Sequence, residues 1–175
     1  MVFFDVFKKV LKKEEKLPNV LENPLESLKK GDIVELDGET WEVIGIAVYK
    51  YKGSVEKEWE IRSAKRSGFL SVEDGKIYFF EEIELESIKP NLIKYYRRFR
   101  EPPEEVEFSG KVYRLKYAGK ATYERSSERY PVEIWEFISQ DGEIIDVEIW
   151  DEYEIETYKG RQLKEWEIEG VFKRK

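Results

Sequence analysis

The chain contains no cysteine and no histidine. The first absence rules out disulfides and thiolate chemistry, and the second removes the commonest general base and metal ligand. No run of about 20 apolar residues is present to span a bilayer, and no signal-peptide pattern occurs, so a cytoplasmic protein is expected. Methionine occurs once. Any catalysis would have to draw on Asp, Glu, Lys, Ser or Tyr, and none of these falls in a recognisable catalytic spacing. We therefore expect no cofactor, no bound metal and a role that is not enzymatic.

What is present is charge and aromatic bulk. Charged residues make up 39% of the 175 positions, aromatics 15% and hydrophobic residues 41%. That is enough apolar content for a packed core. Abundant Lys and Glu with few thermolabile side chains is the profile of a hyperthermophile's protein, in which ion-pair networks gain value with temperature. The net charge of -7 disfavours nucleic acid as a partner, because such binding draws its affinity from Lys and Arg contacts to phosphate.

The strongest pattern is internal. Val34-Glu35-Leu36-Asp37-Gly38-Glu39-Thr40-Trp41-Glu42-Val43 returns as Val106-Glu107-Phe108-Ser109-Gly110-Lys111-Val112-Tyr113-Arg114-Leu115. Each copy reads as a strand, a two-residue turn ending in glycine, and a second strand with an aromatic and an aliphatic residue two apart on one face. Later anchors agree: Trp59-Glu60-Ile61 parallels Trp135-Glu136-Phe137, and Leu70-Ser71-Val72-Glu73 parallels Ile145-Asp146-Val147-Glu148. Turn signals at Lys52-Gly53, Asp74-Gly75, Asp141-Gly142 and Lys159-Gly160 punctuate the rest. The expectation is an all-β, mainly antiparallel protein with a short N-terminal helix, made of two tandem, related SH3-like units packed together. The expected segments are a helix and lead-in at 1–30, a first module at 31–89, a Pro-bracketed linker at 90–104 and a second module at 105–175. Trp41, Trp59, Tyr113 and Trp135 should be core residues, with Trp150 and Trp166 also packed. The last strand is expected to run from about Arg161 to Phe172, with a bulge between Leu163 and Trp166.

Three segments are candidates for binding. In residues 1–16, Phe3, Val6, Phe7, Val10 and Leu11 fall at helical spacing opposite Lys8, Lys9, Lys12 and Lys13. That amphipathic helix suits docking on protein through Phe3, Phe7, Val10 and Leu11, or contact with an anionic membrane surface. Inside the proline bracket, Lys94-Tyr95-Tyr96-Arg97-Arg98-Phe99-Arg100 interleaves cations with aromatics. Such a cluster can clamp an anionic partner, or can pack the linker down with its arginines paired to surface Glu. From Pro131 to Tyr158 there is no Lys or Arg, and Glu148, Asp151, Glu152, Glu154 and Glu156 end a long acidic stretch. If that stretch is strand, Glu152, Glu154 and Glu156 share one face. We read it as a solvated face or as the complement of a basic partner, ahead of a divalent-cation site or a carboxylate acid–base pair, since nothing shows the carboxylates converging.

Lys30-Gly31-Asp32-Ile33-Val34, Gly38, Trp41-Glu42-Val43-Ile44-Gly45, Trp59-Glu60-Ile61 and Leu70-Ser71-Val72-Glu73-Asp74-Gly75 together resemble the family called domain of unknown function 4178. So do Gly110, Tyr113, Leu115, Gly119-Lys120-Ala121, Pro131, Trp135-Glu136-Phe137 and Glu156-Thr157-Tyr158-Lys159-Gly160, so the resemblance runs over about residues 28–170. The family brings no catalytic residues. Its bacterial settings imply a membrane-adjacent accessory role. Where its members carry Trp-x-Glu-Tyr this chain has Trp59-Glu60-Ile61, so no tyrosine-dependent role carries over there. The leading expectation is an interaction or adaptor protein with a protein partner or a second copy of itself. The alternatives are a membrane-peripheral accessory protein and a nucleic-acid or ribosome-associated factor.

Overall fold

The computed structural model describes residues 24–175. The expected N-terminal helix, with Phe3, Phe7, Val10 and Leu11, lies outside the described residues. Within them the protein is mostly antiparallel β, and no helix is long and apolar enough to cross a membrane.

The chain divides into two compact units that differ from the contiguous segments read from sequence. Among the described residues, one takes in 24–47, then Lys57–Phe79 and Leu163–Lys175; the other comprises Val48–Glu56 and Phe80–Gln162. The physical reason lies in strand pairing. Strand β12 (Ile168–Phe172), at the end of the sequence, pairs with β1 (Ile33–Leu36), near its start, matching Ile33 with Phe172 and Val34 with Val171.

In the first unit the strand order is β12, β1, β2 (Glu39–Tyr51), β3 (Ser54–Arg62), β4 (Ser67–Glu73), β5 (Lys76–Glu82). The turns Asp37-Gly38 and Asp74-Gly75 have positive φ at both residues, the geometry of a two-residue hairpin turn whose twist matches its strands. Alternation along β2 and β3 points Trp41, Val43, Trp59 and Ile61 inward, where they meet Leu70, Phe79, Ile168 and Val171. Trp41 stands edge-on to Phe79, with ring centroids 5.5 Å apart. Both buried indoles are satisfied: Trp41 Nε1 donates to the Leu36 carbonyl and Trp59 Nε1 to that of Leu28, each at 3.2 Å. The buried Asp32 accepts from the Lys29 and Arg174 amides, both at 2.8 Å, and from Lys173 Nζ at 3.3 Å.

In the second unit the order is β11 (Ile155–Gln162), β10 (Ile144–Ile149), β9 (Glu128–Ile138), β8 (Lys111–Arg125), β7 (Glu105–Phe108), β6 (Ile88–Lys89). The end of β2 joins it, pairing Val48–Lys50 with Glu124–Thr122 of β8. Two apolar clusters result. Tyr113, Trp135, Phe137, Ile145, Val147 and Ile149 form the larger, with Leu92. Tyr49, Ala121, Val132 and Ile134 form the smaller, with Tyr51, Tyr123 and Trp150 against it. Since side chains alternate across a strand, Trp135 and Ile134 belong to opposite faces of β9.

Four local expectations change. The proline-bracketed segment folds as an α-helix, α1 (Leu92–Phe99), capped by Asn91 Oδ1 accepting from the Lys94 amide. Lys159-Gly160 lies within β11 and is not a turn. Gly160 is required there because the Phe80 ring occupies the space a Cβ would take. The final segment is two strands, because a 3₁₀ turn at Glu165–Glu167 separates β11 from β12. That turn lifts Trp166 out to 64% exposure, where the Lys164 ammonium sits 5.2 Å from its ring centroid.

Candidate functional site

Helix α1 displays the basic and aromatic cluster. Leu92 is buried in the larger cluster of the second unit, and Ile93 and Tyr96 pack against it, so the positions i, i+1 and i+4 anchor one side. Tyr96 also lies beside Trp135, with centroids 5.7 Å apart, and its hydroxyl donates to Glu133 at 3.4 Å. Lys94, Arg97, Arg98, Phe99 and Arg100 are exposed. Tyr95 and Phe99, one turn apart, approach to 4.6 Å between ring centroids.

Two sequence-distant candidates meet here. Arg100 pairs with Glu152 at 2.7 Å, and the Arg97 guanidinium lies 4.9 Å from the centroid of Tyr153. Arg98 lies over Phe99 and Arg100 over Tyr96. The expectation that the arginines pair with Glu thus holds for Arg100, whose basicity the Glu152 bond raises. Among the described residues Lys94, Arg97 and Arg98 have no carboxylate partner.

The acidic segment does not form the single strand face expected of it. Residues 150–154 make the connection between β10 and β11: Asp151 Oδ1 accepts from the Tyr153 and Glu154 amides, at 2.7 and 2.8 Å. Glu152 turns to Arg100, Glu154 is exposed, and Glu156 stands on β11 accepting from Tyr158 at 2.6 Å. Among the described residues no group of three or more carboxylates is placed to hold a metal ion.

Glu148 behaves differently from the rest. It is 4% exposed, and the Tyr49 hydroxyl donates to it at 2.7 Å. Burial pushes its carboxyl up to about 8; the Tyr49 bond opposes that rise, and the negative charges of Glu156 and Glu56 add to it. Glu156 is its direct cross-strand partner. Trp150, stacked edge-on at 5.2 Å from Tyr123, holds a buried Nε1 with no hydrogen-bond acceptor.

A polar network that the sequence did not reveal surrounds Ser139. Its hydroxyl donates to Asp141, Lys111 Nζ reaches Asp141 at 2.8 Å and Glu143 at 3.3 Å, and the Tyr113 hydroxyl donates to Glu143 at 2.6 Å. The Lys111 and Ser139 bonds hold Asp141 down to about 2, so it is fully ionised at neutral pH. The network borders an open groove of about 650 Å³ lined by Gly110, Lys111, Val112, Arg114 and residues 138–141. Lys111 and Tyr113 of β8 come to Ser139, Asp141 and Glu143 only through the pairing of β8 with β9, so the grouping is invisible without the fold.

A family model described as domain of unknown function (DUF4178) matches residues 29–165. The chain belongs to this family. A relative described as "Uncharacterized protein", from Aquifex aeolicus (strain VF5), is 61% identical over 176 residues, covering 99% of this chain and 100% of the relative. That source is consistent with the hyperthermophilic composition. No solved structure matches.

Proposed function

We propose that this member of the family is a non-catalytic interaction module whose exposed α1 surface holds an acidic segment of a protein partner. The observation that carries the reading is the presence of Lys94, Arg97 and Arg98 on a core-anchored helix, without a carboxylate partner among the described residues. In a chain of net charge -7, uncompensated cations beside exposed aromatics favour docking of an acidic surface. The stack of Arg97 on Tyr153 and the bond from Arg100 to Glu152 hold the rim of that surface in place.

We read the two units as related SH3-like folds that arose by duplication. Supporting this, Trp41 and Tyr113 occupy matched hairpins and are both buried, as are Trp59 and Trp135. The likeness is imperfect in two places. Trp59 pairs with Leu70 whereas Trp135 pairs with Val147, a two-residue slip that keeps the same face inward. Val43 is buried, but its counterpart Leu115 is exposed beside the irregularity between Leu115 and Tyr117.

The test is affinity capture of the tagged chain from host lysate at moderate salt, run beside the variant Lys94→Glu/Arg97→Glu/Arg98→Glu. A protein partner recovered stoichiometrically by the parent and lost by the variant supports the reading. A partner held equally by both removes α1 from it, and recovery of nucleic acid with a steep salt dependence replaces it.

A further inference from the structure

Residues Val48–Glu56 belong to the second unit and are separated along the chain from the rest of it, Phe80–Gln162, by Lys57–Phe79 of the first. Four kinds of interaction seat them: ladder pairs from Val48 to Glu124, Tyr49 to Tyr123 and Lys50 to Thr122; an ion pair from Lys50 to Glu124 at 3.0 Å; the Tyr49 bond to Glu148; and edge-on ring contacts of Tyr49 with Tyr123 at 5.1 Å and of Tyr51 with Tyr117 at 6.0 Å. Lys52, Gly53, Ser54 and Val55 are exposed and add little burial.

Glu148 is enclosed by β10 itself and by residues from four other elements. Ile134 of β9 and Glu156 of β11 lie opposite it on either side of the ladder. Tyr49 of β2 donates to it, and Glu56 of β3 acts on it by charge. The charged groups acting on it, Glu156 and Glu56, are both carboxylates, each engaged by a tyrosine hydroxyl, from Tyr158 at 2.6 Å and Tyr51 at 3.3 Å. An ionised Glu148 would therefore be a buried anion facing two more anions, a state relieved only by admitting water.

Water can reach it most easily on one side. β10 is held to β9 and to β11 by six ladder pairs each, whereas Val48–Lys50 is held to β8 by three. A segment held to its neighbour by the shorter ladder opens the more readily.

We propose that the Tyr49–Glu148 contact is a proton-operated latch: a protonated Glu148 keeps Val48–Glu56 seated over the small cluster of Ala121, Val132 and Ile134, and loss of that proton releases the segment. A Glu148 released to water returns to ordinary carboxyl behaviour. The seated state is therefore favoured at low pH, and the favour is lost as pH rises from the ordinary value of 4.5 through about 8.

Hydrogen exchange read by mass spectrometry on the full chain, from about pH 5 to about pH 9.5 and corrected for the intrinsic rate, tests this. In the parent, protection of the amides of residues 48–56 and of their β8 partners should fall by up to about tenfold per pH unit and level off above about pH 8. Protection across β9 and β10 should stay flat. In Glu148→Gln, which keeps an acceptor for Tyr49 but cannot ionise, the segment should show no slope. A parent with a flat profile, a slope shared by β9 and β10, or a Glu148→Gln variant with the parent's slope each overturns the proposal. If Glu148→Gln does not fold, Tyr49→Phe serves: protection of the segment must drop at every pH while the slope remains, and unchanged protection overturns the latch.

Discussion

The Tyr49 hydroxyl donates to a Glu148 oxygen at 2.7 Å, joining residues 99 positions apart. Tyr49 closes a face of β10 that would otherwise be solvated, which is why burial pushes the Glu148 carboxyl up to about 8.

Removing that hydroxyl should therefore cost more than an average hydrogen bond. Tyr49→Phe leaves a buried carboxyl without its partner, and we expect a loss of about 1–3 kcal/mol in urea unfolding at pH 6. A loss indistinguishable from zero would show that Glu148 finds another donor.

Glu148 also sets a pH dependence. Its folded-state value is raised, so the stability it contributes is complete below the ordinary value of 4.5 and is lost as pH rises through about 8. Glu148→Gln, which has nothing to titrate, should gain in melting temperature relative to the parent between about pH 5 and about pH 9. Parallel curves for the two proteins would refute this.

Asp32 works with the opposite sign. Burial raises its carboxyl, but the Arg174 and Lys29 amides and the Lys173 ammonium outweigh burial and hold it below the ordinary value of 3.8. Its contribution is present above that value and lost as pH falls through the folded value. Asp32→Asn should cost about 1–3 kcal/mol at neutral pH, and the gap from the parent should shrink as pH falls below 3.8. Paired urea titrations on the two sides of that value decide it.

Gly160 predicts a steric effect. A Cβ at this position meets the Phe80 ring, so Gly160→Ala should destabilise by about 1–3 kcal/mol through overpacking. Gly160→Ala/Phe80→Leu should recover part of that loss. Additive losses in the double variant would place the strain elsewhere.

Helix α1 should separate stability from binding. Lys94→Glu/Arg98→Glu alters exposed positions off the anchored side of Leu92 and Tyr96, so the melting temperature should hold while partner affinity drops at least about tenfold. A fall in both together would mean that these cations serve the fold.

Much of the fold was legible because it rests on short-range chemistry. Asp37-Gly38 and Ser109-Gly110 are tight turns with positive φ at both residues. Trp41, Trp59, Tyr113 and Trp135 are buried because period-two alternation put them on a core face. Helix α1 was harder to see: its amphipathic pattern runs for only eight residues in a segment bracketed by prolines, and Leu92 and Tyr96 declare themselves as anchors only against Trp135. Trp166 misled because a large aromatic is usually buried, and here a 3₁₀ turn carries it outward.

The sequence by itself determined the β class, the main hairpins and the family, since turn residues and alternating patterns act over a few positions. Only the tertiary structure decided that β12 pairs with β1, that Arg97 and Arg100 meet Tyr153 and Glu152, and that Glu148 is buried under Tyr49. On β10 alone Glu148 shares a face with Asp146 and looks solvated; a strand's local pattern fixes which face a side chain takes, but not what distant segment comes to cover it.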